Sequence, residues 1–138
     1  MRREGDGERA MIRVRAAANT LLLGLAALAV FHVLMLLRVL PADVAWGGRV
    51  AASGDLAALE AASLVVTLFF AVVVAAKAGH LGPRVPRRAV SITMWVVFGY
   101  LTLNVAGNLA SASSLERAVF TPVSVVLALL ALRVATGR

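Results

Sequence analysis

The chain has 138 residues, of which 61% are hydrophobic and 15% charged, with a mean hydropathy of +0.89. Such a composition lies outside the range of water-soluble domains and makes a lipid bilayer the expected solvent. No cysteine is present, which excludes disulfides, thiolate metal sites and cysteine nucleophiles; fourteen basic against seven acidic residues leave a net charge of +7.

In a soluble protein that excess of charge would point to nucleic acid. In a chain this apolar the positive-inside rule accounts for it better, and no nucleic-acid partner is expected. The first fifteen residues, MRREGDGERAMIRVR, are polar and mixed in charge, and they read as a cytoplasmic tail that is disordered or lies on the surface. The first apolar run follows over residues 16–40. It is too long for the core of a signal peptide and is read as a retained span.

The connection PADVAWGGRVAASGD leads to a second run at residues 56–78. In that connection Trp46 suits the headgroup level, Gly47 and Gly48 permit a tight turn, and Arg49 can reach a carboxylate or a lipid phosphate. Asp55 or Ser53 is placed to cap the helix that follows. The next connection, KAGHLGPRVPRR, carries Gly79 as a candidate left-handed helix cap, two prolines that stop continuation, and a solvated His80. A third run covers residues 89–110, and a short SASS turn leads to a fourth at 115–135. Ser113 and Glu116 in that turn have the S-x-x-E spacing of a capping box.

Each run is about 21 to 25 residues long, against the ~20 that cross a hydrocarbon core of ~30 Å. Backbone in lipid must satisfy its own hydrogen bonds, so the expected fold is all-α, an integral membrane four-helix bundle. Eleven of the fourteen basic residues fall on one side, leaving Arg38, Arg49 and Arg117 on the other, so both termini are expected to be cytoplasmic.

Ionisable residues within a span cost about 2.5–3.5 kcal/mol at its centre and call for a partner or a purpose. Counted at 1.5 Å per residue, Glu60 lies ~6 Å and His32 ~12 Å inside the outer ends of their spans, with Asn104 at ~9 Å and Asn108 at ~3 Å. Glu60, Ser63 and Thr67 share one helical face, and Tyr100, Asn104, Gly107, Asn108 and Ser111 share another. Ala57, Ala58, Ala61 and Ala62 invite a close helix neighbour beside Glu60. Pro122 on the fourth span removes an amide and is expected to free the carbonyl of Ala118 and kink the helix.

Two readings of these polar groups stay open. They hold a bundle together, for example through an ion pair of Glu60 with Arg38 or Arg49, or they line one outward-facing cavity with the backbone around Thr121 and Pro122. In the second reading the ligand-binding residues are Glu60, Asn104, Asn108, His32, Arg49 and Tyr100. No catalytic set, metal site or cofactor is expected, because no G-x-S-x-G, H-E-x-x-H or Walker loop occurs and two histidines on opposite sides of a membrane cannot ligate one haem.

Three segments, PADVAWGGR, LEAASLVVTLFFAVVVAAKAG and NVAGNLASASSLERAVFTPVSVVLALLALR, resemble those of small four-span bacterial membrane proteins that carry no assigned activity. The likeness covers most of the chain from about residue 20 and implies the architecture alone. In size and span count the chain also resembles small multidrug resistance exporters. It departs from them in its carboxylate, which is deep on the first helix in that family and shallow on the second here. The expected location is the inner membrane. The expected partners are the bilayer and either a second copy or another subunit of a membrane complex. Three functions are carried forward in order: binding or transport of a small ligand or proton; a noncatalytic accessory subunit; and a membrane enzyme acting on a lipid-like molecule, with Glu60 and His32 as acid and base.

Overall fold

The computed structural model describes residues 2–41, 55–82 and 86–137, with side chains described from residue 11 onward. Four helices make up the fold: α1 (Arg2–Leu36), α2 (Leu56–Lys77), α3 (Arg87–Leu109) and α4 (Thr121–Thr136), the last preceded by a π-helical turn at Glu116–Phe120. No strand occurs among the described residues. All four apolar segments are long enough to cross a membrane: Met11–Leu36 within α1, Leu56–Lys77, Arg87–Leu109, and Glu116–Thr136, which spans the π turn and α4. Large apolar side chains point outward along them, with Leu23 73% and Leu103 72% exposed. A surface of that kind is at home in lipid and a liability in water.

Successive helices run up and down, so that the start of α1 meets the end of α2 and of α4. Arg15 Nε donates to the Ala78 carbonyl at 3.4 Å, His80 Nε2 meets Asn19 Oδ1 at 2.8 Å, and Lys77 Nζ donates to Ser91 Oγ at 3.1 Å. His80 is therefore exposed, as expected of a loop residue, but tethered to α1. The basic side chains of Arg13, Arg15, Lys77, Arg87, Arg88 and Arg133 gather toward this end, while Arg38 and Arg117 stand at the other. Around the bundle α1 packs along α2 and α3 along α4, α4 returns against α1, and the α2–α3 seam is the thinnest of the four.

The core sits in the basic half. Ala18, Leu21 and Leu25 on α1, Phe70, Val73 and Val74 on α2, Met94, Val97 and Leu101 on α3, and Leu127, Ala131 and Val134 on α4 form one buried cluster, spaced three or four residues apart on each helix. Gly24 admits the tip of Leu127 where a Cβ would collide with it, so α1 and α4 approach closely. In lipid such packing, rather than the hydrophobic effect, holds helices together.

Several helix boundaries differ from the sequence reading. The segment read as a tail continues α1 as helix from Arg2, with no proline to stop it, giving 35 residues and a length of about 52 Å. At its other end α1 stops at Leu36, not Leu40, in a Schellman motif: Arg38 N–H bonds Met35 O at 3.0 Å and Val39 N–H bonds Leu34 O at 2.9 Å. Arg38 holds φ +56 there, a left-handed conformation that costs a residue with a Cβ. Gly79 ends α2 in the same motif at φ +82, as expected. Asp55 occupies the cap position of α2 but makes no side-chain cap bond. Ala57, Ala58, Ala61 and Ala62 are exposed, so the close helix contact expected on that face is absent. Ser53 and the WGGR turn, including Trp46 and Arg49, lie outside the described residues.

Arg38→Gly relieves the left-handed strain and is expected to stabilise the protein by about 0.5–1 kcal/mol, read as a higher thermal midpoint in detergent. A lower midpoint would show that the arginine side chain contributes more than its backbone costs.

Candidate functional site

Above the core the bundle is hollow. A cavity of about 430 Å³ lies between all four helices at the end opposite the basic cluster. Its floor is formed by Leu25, Phe70, Leu101 and Leu127, which belong to the core, and it reaches upward to Ala110, Ser111 and Ala112 in the α3–α4 turn. From Leu36 down to Leu25, and from Leu56 down to Thr67, the depth is about 16 Å, roughly half a hydrocarbon core.

Glu60 is the most buried polar group in it, with 1% of its surface exposed, and His32 is 15% exposed. His32 Nδ1 lies 2.6 Å from Glu60 Oε2. That distance is in the range of a charge-assisted hydrogen bond, and Nδ1 can be the donor whether the ring is neutral or charged. The earlier end of α1 explains the pairing. Counted from Leu36, His32 lies about 6 Å inside its helix, the same depth as Glu60 below Leu56, instead of the ~12 Å expected. Glu60 is thus paired with a histidine of the first helix.

α3 contributes the stripe read from its sequence. Tyr100, Asn104, Gly107, Asn108 and Ser111 all line the cavity, as do Ser63 and Thr67 beside Glu60 on α2. Asn108 Nδ2 donates to Ser124 Oγ on α4 at 2.9 Å. Of the six residues expected to bind a ligand, the structure brings His32, Glu60, Tyr100, Asn104 and Asn108 to one cavity; Arg49 lies outside the described residues.

Sequence reasoning missed the fourth wall. Glu116 lines the cavity, as do Phe120, Ser124 and Leu127, whereas Thr121 and Pro122 do not. Glu116 makes half of the expected capping box: its amide reaches Ser113 Oγ at 3.4 Å, but its carboxylate accepts from the Ser111 hydroxyl. Ser111 Oγ in turn accepts the Ser113 amide at 3.0 Å, and the Arg117 guanidinium donates to the Ser111 carbonyl. The irregularity placed at Pro122 is met one turn earlier. In the π turn the Thr121 amide bonds the Glu116 carbonyl, to which the Thr121 hydroxyl also donates at 3.2 Å. Pro122 then falls in the first turn of α4, where its fixed φ suits a helix start. A signal for this wall was present in the spacing of Glu116, Phe120, Ser124 and Leu127, which share a helical face.

Aromatic rings supply much of the apolar lining. Phe31 meets Phe120 edge to face at 5.0 Å between centroids, closing α1 on α4, and Phe70 meets Tyr100 at 5.1 Å, closing α2 on α3. Among the described residues no three His, Asp or Glu side chains stand close enough to hold a metal ion. A partly enclosed apolar space of this volume with a few converging polar groups has the character of a small-molecule site.

A double-mutant cycle of His32→Phe and Glu60→Gln, read by thermal unfolding in detergent, is expected to give a coupling of about 0.6–2 kcal/mol. Additive effects would mean that the pair carries no interaction energy. Comparison with protein-family models, with curated proteins and with solved structures finds no match to this chain, so the geometry of the site carries the functional argument.

Proposed function

We propose that the protein is a small multi-pass membrane protein whose cavity binds, and in a transport cycle passes on, a small ligand or proton, with the His32–Glu60 pair as its acceptor. The observation that carries this reading is convergence: five polar residues picked from three separate helices line a single space of about 430 Å³. Helix-stapling side chains have no need of such a space. Asn104, Asn108 and Tyr100 supply donors and acceptors that orient a ligand, and Glu116 with Ser111 adds a second carboxylate on the opposite wall.

Location belongs to the same proposal. Six basic side chains gathered at one end and two at the other support an inner-membrane orientation with both termini cytoplasmic and the cavity facing out. The chain has no cysteine, so single cysteines introduced at Arg13 and at Ser114 give a clean test in intact cells. A membrane-impermeant maleimide is expected to label the second and spare the first; the reverse pattern would invert the orientation.

One observation favours a second reading, that of a noncatalytic subunit. The His32–Glu60 and Asn108–Ser124 bonds each join two helices, and cross-links of that kind serve a structural role equally well. Thermal unfolding of the purified protein against a panel of small polar and amphipathic compounds separates the two. If the cavity binds, some compound raises the midpoint, by up to about 2.7 kcal/mol of stabilisation at one hundred times its dissociation constant, and Glu60→Gln removes the rise while the protein stays folded. If the role is structural, no compound shifts the wild type and Glu60→Gln itself lowers the midpoint.

A further inference from the structure

The cavity has an open side. Going down α3 from its end, Asn104 and Gly107 are exposed and Tyr100 is 40% exposed, although all three line the cavity. Tyr100 lies about 13 Å below Leu109, well inside the hydrocarbon region. The facing wall on α2 is closed, with Glu60 and Thr67 buried. The exposed strip lies on α3, whose seam with α2 is the thinnest of the bundle and is bridged lower down by Phe70 and Tyr100. Asn104 and the Tyr100 hydroxyl make no hydrogen bond among the described residues, which leaves both able to bond a ligand.

Polarity is graded along the same wall. Asn104, Asn108 and the Glu116–Ser111 pair lie toward the open end, while Phe70, Leu101 and Leu127 form the floor toward the bilayer centre. A molecule matching that gradient has a hydrogen-bonding head held near the interface and an apolar tail directed inward, which is the orientation it already holds as a lipid-dissolved amphipath.

From the open strip, its depth and the gradient, and resting on the cavity reading above, we infer that the ligand is a single-chain amphipath with an uncharged hydrogen-bonding head, and that it enters sideways from the membrane through the α2–α3 seam. Asn104 and Tyr100 are the first polar groups it meets, and their amide and phenol both donate and accept, as a hydroxyl or amide head requires. A cavity of about 430 Å³ suits one short chain or a small ring system.

Two glycines on α3 make the test. A Cβ built at Gly107 or at Gly99 meets nothing within 4 Å, so both positions accept a larger side chain, but only Gly107 lines the cavity. The full-length protein in lipid nanodiscs is photolabelled with a diazirine-bearing dodecanol, with and without excess dodecanol, and the labelled peptides are mapped by mass spectrometry. Labelling that falls on α2 and α3 within the cavity, is competed away, drops about tenfold in Gly107→Phe and is unchanged in Gly99→Phe is the expected result. Asn104→Leu, at an exposed position, is expected to weaken the competition while the helical content and monodispersity stay those of the wild type. Uncompeted labelling spread over lipid-facing residues such as Leu103 would overturn the inference. So would competed labelling of the cavity by a diazirine-bearing glycerol but not by the dodecanol probe, an outcome that keeps the cavity as a binding site filled from water. Failure of both probes, together with no compound-dependent stabilisation, would remove the binding reading itself.

Discussion

A carboxylate near the end of a helix long and apolar enough to cross a membrane, with almost none of its surface exposed, has to be held by hydrogen-bonding groups on its neighbours, because burying it alone would cost several kcal/mol. Here His32 of α1 meets that requirement in part, and doing so fixes how α1 and α2 stand against each other. One residue of slip on either helix would turn its side chain by about 100° and break the contact. The termination of α1 at Leu36 belongs to the same constraint, since it brings His32 to the depth of Glu60.

The hollow half follows from this. Apolar side chains spaced at three and four residues close on one another at the basic end, where Ala18, Val74, Met94, Ala131 and Val134 leave no room between the helices. Toward the other end the same faces carry Glu60, Ser63, Asn104, Asn108, Glu116 and Ser124. Two bonds cross the gaps between helices, His32 with Glu60 and Asn108 with Ser124, and such directed contacts hold helices at fixed separations where apolar packing would draw them together. Phe31 with Phe120 and Phe70 with Tyr100 act as struts between neighbouring helices.

How much of this was legible in the sequence depended on whether a feature is local to one helix. The four helices and the polar faces of α2 and α3 were legible, because hydropathy and a 3.6-residue period are properties of single segments. Gly79 was legible as a cap because a glycine at that place has a conformational reason to be there. Arg38 takes the same left-handed position without being a glycine, and the apolar residues beside it, Leu37, Val39 and Leu40, prolong the pattern past the real end of α1. That one hidden boundary displaced the expected depth of His32. The alanines of α2 were misread for a related reason: small residues permit a close neighbour, but which face receives one is settled by the other helices.

Glu116 shows how a correct local reading can hide a role in the whole. The S-x-x-E spacing does describe the start of the fourth span, and Ser113 does receive the Glu116 amide. In a regular α-helix the four-residue spacing from Glu116 to Phe120 to Ser124 already keeps the three on one side, within about 80° of one another. Proline at 122 forbids the regular ladder at this point, since no amide is there to bond the carbonyl of Ala118. The π turn answers that problem: its wider winding absorbs an added residue before the proline, and the Thr121 amide and hydroxyl both bond the Glu116 carbonyl. Glu116 and Ser124 thus line one wall of the cavity from either side of the π turn and the proline.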